Sequence, residues 1–117
     1  MHELSIAESL VDIIRQEMEK HGVTTLHKVE VVVGQLTAIV PEALEMSFTA
    51  LTVDTPLAGA VITTEIRPLT VCCRECKKDF SPAEDDPYLM TCPFCGAEIG
   101  HEVLTGRELF ISNIVAE

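Results

Sequence analysis

Two groups of residues have the types and spacing that chemistry needs. The first is a set of five cysteines confined between Cys72 and Cys95. Cys73 and Cys76 form one C-x-x-C pair and Cys92 and Cys95 another, with the 15 residues Lys77–Thr91 between them. This is the two-knuckle spacing of a structural zinc site. Each knuckle turns its sulfurs inward, and four thiolates at about 2.3 Å close a tetrahedral shell with no open position. A closed shell holds together a segment with too few apolar residues to fold alone. Free or redox-active thiols would need two such pairs by coincidence, and iron–sulfur ligation is the smaller alternative. Cys72 is the spare thiol. Only Cys73 stands in C-x-x-C register with Cys76, so Cys73 is the expected ligand.

The second group is the opening triplet, Met1, His2 and Glu3. A free Met1 amine, the deprotonated backbone nitrogen of His2 and the His2 imidazole can wrap one ion in fused chelate rings. The Glu3 amide nitrogen or its carboxylate supplies a fourth donor. Nitrogen-rich, nearly planar sites suit Ni²⁺ or Cu²⁺. Protonation of the imidazole and the amine weakens such a site as pH falls. Chain ends usually fray, so the triplet gains weight only beside the cysteine pairs. The other histidines have plainer readings. His21 falls at a helix end, where a cation is favoured. His27 precedes a strand and is expected to face solvent, and His101 follows the cysteine segment closely enough to modulate it.

These donors need elements to position them. Ser5-Ile6-Ala7-Glu8 reads as a capping box. Behind it Ala7, Leu10, Val11, Ile14 and Met18 recur at helical spacing, and Gly22 is a C-cap. The expected helix runs from about Ile6 to Lys20, with Met1–Leu4 leading in from outside it. In "LHKVEVVVG", Val29, Val31 and Val33 alternate with Lys28, Glu30 and Val32, which is a strand. "VPEALEMSFTAL" is a second helix with Pro41 in its first turn and Leu44, Phe48 and Leu51 as its buried stripe. "AVITTEIRPL" is a strand ended by Pro68. Residues 70–100 lose periodicity. "RELFISNIVAE" resumes it, with Leu109, Ile111 and Asn113 facing opposite to Phe110, Ser112 and Ile114. That last strand must rejoin the first part of the chain, because an isolated strand cannot bury its apolar face. The expected fold is α+β: two helices on a three-stranded mixed sheet, spanning 1–69 plus 101–117, with an inserted zinc-ribbon-like module at 70–100.

Composition bounds the rest. The chain has 117 residues, 47% of them hydrophobic, only 4% aromatic and no Trp, so its core should be aliphatic. No apolar run approaches the roughly 18 residues of a membrane span. The start lacks the basic and apolar stretches of a secretory signal, which points to the cytoplasm. A net charge of -11 repels phosphate backbones and argues against general nucleic-acid binding. "VVVGQL" has a lone glycine and is no phosphate loop. No nucleophile arrangement stands out, so a carrier is expected and not an enzyme. The rivals are a zinc-ribbon nucleic-acid module and a zinc-folded adaptor that ignores nickel.

The stretches "MHELSIAESL", "VVVGQLTAIVPEALEMSF" and "CREC…CPFCG", in that order through nearly the whole chain, resemble the HypA/HybF family of hydrogenase maturation factors, which are small nickel metallochaperones. The resemblance implies Ni²⁺ binding through Met1, His2 and Glu3, with His2 essential, and a zinc module held by Cys73, Cys76, Cys92 and Cys95. It implies delivery to the large subunit of [NiFe]-hydrogenase in cooperation with the GTPase HypB. Some relatives also serve urease maturation, and monomer and homodimer both stay open. The sequence departs from the pattern in three places. Lys77 stands where many members have glycine, Cys72 is an extra thiol, and Val40 replaces a carboxylate that some relatives carry. Glu42 is not a secure substitute for it.

Overall fold

In the computed structural model, residues 3–82 and 91–117 are described; Met1 and His2 lie outside them. The chain forms two lobes, each built on a three-stranded sheet.

The first lobe begins with α1 (Glu3–Lys20), which buries Ala7, Leu10, Ile14 and Met18 along one stripe. The helix starts three residues earlier than the capping box implied. Ser5 lies inside it, and its carbonyl accepts the Ser9 hydroxyl at 3.2 Å. Glu3 and Leu4 are good helix formers, and an acidic residue in the first turn is favoured by the helix dipole, so nothing stops the helix at Ser5. Its other end closes as a Schellman motif. Gly22 is left-handed at φ 68, Val23 N–H donates to the Met18 carbonyl at 3.0 Å, and Gly22 N–H donates to Glu19 at 3.2 Å.

Strand β1 (Leu26–Gly34) is central, parallel to β2 (Val61–Arg67) and antiparallel to β6 (Leu109–Ala116). Helix α2 (Pro41–Thr52) makes the crossover between the two parallel strands, with Pro41 in its first turn and Leu44, Phe48 and Thr52 buried. Leu51, expected in that stripe, is half-buried against the same core. Val29, Val31, Val33, Leu44, Phe48 and the α1 stripe form one aliphatic core, as the composition implied.

Strand β6 does not alternate as its sequence suggests. Glu30 pairs with Asn113 but Val31 pairs with Ile111, so Ser112 is an extra, bulged residue. Its hydroxyl donates to the Glu30 carbonyl at 3.2 Å. The bulge resets the period, and Ile111 and Ile114 both pack on the core. The expectation that they face opposite sides is corrected.

The second lobe is an antiparallel sheet in the order β4 (Asp79–Phe80), β3 (Thr70–Cys73), β5 (His101–Thr105). Sheet pairing therefore carries this lobe through Thr105, and the return to the first sheet begins at Leu109. Its core is Leu69, Val71, Cys73, Phe80 and Cys92, with Leu36 packed against it from the first lobe. Leu36 sits in a 3₁₀ turn (Gln35–Thr37) directly after β1. The same turn knits the joint: Leu69 N–H donates to Gln35 Oε1 at 2.8 Å, and Leu36 N–H to the Gly106 carbonyl at 2.8 Å. Gly34 meets Gly106 so closely that a Cβ on Gly34 would stand 2.1 Å from the Gly106 carbonyl carbon. Only glycine fits there.

Candidate metal centre

The four paired cysteines arrive from two turns of like construction. In the first, Cys73 ends β3, its N–H donates to the Lys78 carbonyl at 3.0 Å, and Lys77 N–H donates back to the Cys73 carbonyl at 2.8 Å. In the second, Cys92 N–H donates to Ala97 at 2.8 Å, and Gly96 N–H to Cys92 at 2.9 Å. The residue after each pair is left-handed, Lys77 at φ 64 and Gly96 at φ 79. These matching turns aim all four sulfurs at one point. Cys73 Sγ lies 3.6 Å from Cys95 Sγ, Cys76 Sγ lies 3.6 Å from Cys92 Sγ, and the four all lie within 4.8 Å of one another. Among the described residues this is the one group of three or more metal-ligating side chains so gathered.

Cys72 is excluded by strand geometry. Neighbours on a strand face opposite sides, so the β3 residue beside a buried Cys73 must point away. It faces Asp79 and Glu102 across the sheet's outer surface. Burial, then the Asp79 carboxylate, pushes its thiol up from the ordinary value.

The electrostatics of the cluster suit a cation. Burial pushes the Cys92 thiol up, but the Phe94 and Cys95 N–H groups and the adjacent sulfurs outweigh it and bring it down to about 6. At Cys95, the Ala97 N–H pulls the thiol down, but burial and the three other sulfurs push it up to about 12. Cys76 is pulled down by the Lys78 N–H yet ends raised, through burial and the Cys92 and Cys73 sulfurs. One thiolate forms readily and the next are resisted by it, which is the behaviour of like charges sharing a site. A divalent cation relieves that repulsion. Four gathered thiolates, with no further His, Asp or Glu grouped with them among the described residues, are a donor set that Zn²⁺ accepts in tetrahedral geometry.

His101 does not join the sulfurs. Its Nε2 lies 3.1 Å from the Ala97 carbonyl, where it acts as a donor, and its ring stands edge-on to Phe80 at 5.2 Å. It braces the second turn from behind. His21 pairs with Glu17 at 3.5 Å and His27 with Glu117 at 2.9 Å, both on the surface. Glu3 is half-buried in the first turn of α1. The expectation that Met1–Leu4 leads in from outside the helix is corrected from Glu3 onward; Met1 and His2 lie outside the described residues. Val40 precedes α2 with no side-chain cap, and Glu42 is exposed in that helix's first turn. The bracing role of Leu36 had no local sequence signal, because it packs on residues distant along the chain, whereas His101 was flagged by its place just after the cysteine segment and bonds Ala97 four residues back.

A family model for "Hydrogenase/urease nickel incorporation, metallochaperone, hypA" matches residues 1–116. The chain belongs to the HypA family. It is 46% identical over 117 residues to the hydrogenase maturation factor HypA of Solidesulfovibrio magneticus, covering 100% of both chains. It is 39% identical over 118 residues to that of Lawsonia intracellularis, again covering 100% of both. Its fold matches the solution structure of the Ni metallochaperone HypA from Helicobacter pylori, with a TM-score of 0.65 at 18% identity, covering 99% of this chain and 97% of that one. A second HypA solution structure matches with a TM-score of 0.71 at 19% identity. The HypA family is one of maturation factors and nickel metallochaperones. The two-helix, small-sheet α+β architecture is that of the solved HypA proteins, and no helix among the described residues is long and apolar enough to cross a membrane.

Proposed function

We propose that the chain is a cytoplasmic nickel carrier, not a catalyst. It takes up Ni²⁺ at Met1, His2 and Glu3, and passes it to the large subunit of [NiFe]-hydrogenase in cooperation with a HypB-type GTPase. Urease maturation proteins are the other candidate clients. In this reading Cys73, Cys76, Cys92 and Cys95 hold a structural Zn²⁺ whose role is to fold the second lobe.

One observation supports the division of labour: α1 starts at Glu3. The first N–H groups of a helix have no acceptor within it. The backbone nitrogen of Glu3 falls in that set, so giving it to a metal costs no helical hydrogen bond. The sulfurs are meanwhile committed to one another in the other lobe. Chain direction puts the start of α1 on the side of the first lobe that meets the second. Helix α1 at 18 residues is about 27 Å long and β1 at 9 residues about 30 Å. A short turn joins them, so the start of α1 lies near the end of β1, where the joint to the second lobe begins. A terminal site there is reached by a partner without opening either core, which suits a protein that must release what it binds.

The test is isothermal titration of Ni²⁺ into zinc-loaded protein with a native terminus. His2→Ala should abolish high-affinity nickel uptake while leaving zinc content and circular dichroism unchanged. Unchanged nickel affinity in that variant would reject the terminal site. Residues added ahead of Met1 remove the free amine and should change the absorption spectrum of the nickel complex.

A further inference from the structure

The four gathered cysteines differ in their reach to solvent. Cys95 is exposed and Cys76 half-buried, whereas Cys73 and Cys92 are buried. Two 3.6 Å contacts join the turns, Cys73 Sγ to Cys95 Sγ and Cys76 Sγ to Cys92 Sγ. Each matches an accessible sulfur of one turn with a buried sulfur of the other. A bonded pair of sulfurs stands at about 2.05 Å, so a small approach would link either pair. Such a link does what a tetrahedral ion does: it ties the first turn to the second. A bond inside one turn would leave the two turns unlinked.

The fifth thiol is kept apart. Cys72 precedes Cys73 on β3, and a strand sets adjacent side chains on opposite faces. Its sulfur lies with Asp79 and Glu102 on the outer surface. An odd number of cysteines in the chain thus becomes an even number at the site, arranged as two cross-turn pairs.

We infer that these cysteines are a modification site for a hydroperoxide, which exchanges the bound ion for two disulfides, Cys73–Cys95 and Cys76–Cys92, and leaves the second lobe folded. This rests on the zinc reading above. Exposure selects Cys95 as the first sulfur to meet the oxidant. Its thiolate attacks one peroxide oxygen, the O–O bond breaks, a sulfenic acid forms on Cys95, and hydroxide leaves when the oxidant is hydrogen peroxide. The Cys73 thiolate then attacks the Cys95 sulfur; the S–S bond forms and the S–O bond breaks with loss of a second hydroxide. Cys76 and Cys92 repeat the sequence, with the half-buried Cys76 meeting the oxidant. Two peroxides thereby take four electrons from four thiolates, and Zn²⁺ leaves because its donors are gone.

The test adds hydrogen peroxide to the zinc-loaded full chain. A metallochromic dye reads the zinc released, and mass spectrometry after alkylation and proteolysis maps the disulfides. One equivalent of peroxide should give Cys73–Cys95 ahead of Cys76–Cys92. Two equivalents should release all the zinc, complete the second bond and leave Cys72 alkylated. The methyl resonance of Val71, buried in the second core, should stay dispersed in the oxidised chain, whereas chelation with the thiols kept reduced should collapse it. A dithiol reductant with added zinc should restore the starting spectrum. Cys72→Ser should change neither the pairing nor the rate. Bonds within a turn, any bond to Cys72, zinc retained with its thiols unreacted, or collapse of the Val71 resonance on oxidation would each overturn the inference. Zinc is assayed before peroxide is added: a chain that held none would reject the zinc reading as well, while a loaded chain with other pairs rejects the exchange alone.

Discussion

The two lobes are held by different physics. The first buries a dozen aliphatic and aromatic side chains between two helices and a sheet. The second has a core of five buried residues, two of them cysteines. The first lobe is stable through apolar area, at roughly 25 cal/mol per Å² buried. The second has too little such area and relies on whatever joins its sulfurs. The proposed function draws on the same division: a lobe held by apolar area can leave terminal donors open to exchange, while one held through its sulfurs keeps them closed.

The sharpest way to break this contrast is to remove the metal. Apparent binding energies of structural zinc in small modules are about 10–16 kcal/mol. Chelation should therefore unfold the second lobe and leave the helical signal of the first, as read by circular dichroism together with methyl resonances of Val31 and Val71. Loss of both together would show one cooperative unit. Re-addition at pH 7 should release protons from the cysteine thiols, because the unfolded lobe holds them protonated and a metal takes thiolates. Uptake is thus favoured as pH climbs and lost on acidification, and a pH-stat titration counts the protons.

Phe48→Ala comes next. Phe48 is 1% exposed, and its truncation should cost about 3–5 kcal/mol in denaturant unfolding of the first lobe, with metal content unchanged. Leu36→Ala tests the boundary itself. It should cost about 2 kcal/mol, and the loss should register in the second lobe although the residue follows β1 in the first. Lys77→Gly is the smallest, a gain of at most about 1 kcal/mol against chelation, from relief of the left-handed strain.

Features set by neighbours in sequence were legible. The pairing of Cys73 with Cys76 and of Cys92 with Cys95 is a local spacing, and the structure gathers those four sulfurs. The β1 alternation and the Pro41 helix start are equally local. Features set by distant partners were not legible. The Ser112 bulge answers to Glu30 across the sheet, so period-two reading alone could not place Ile114 on the core side. Leu36 has no amphipathic context and is half-buried against residues far along the chain. The α1 start was misplaced because Ser5 and Glu8 fit a capping box on paper, while Glu3 and Leu4 propagate the helix equally well. The terminal triplet is chemistry without a periodic signal, and it gains weight in the sequence only beside the cysteine pairs.

Strands β1 and β6, joined by a hydrogen bond between residues 82 apart, enclose the whole cysteine lobe in the chain. During synthesis β1 must wait, one edge open, until that lobe has left the ribosome. An ion that clips the two cysteine turns together shortens the loop spanned by the last strand and lowers the entropy of closing it. Metal supply in the growing cell thus helps to close an apolar sheet edge against the wrong neighbours, by a fraction of the roughly 0.6 kcal/mol that halving a loop gives.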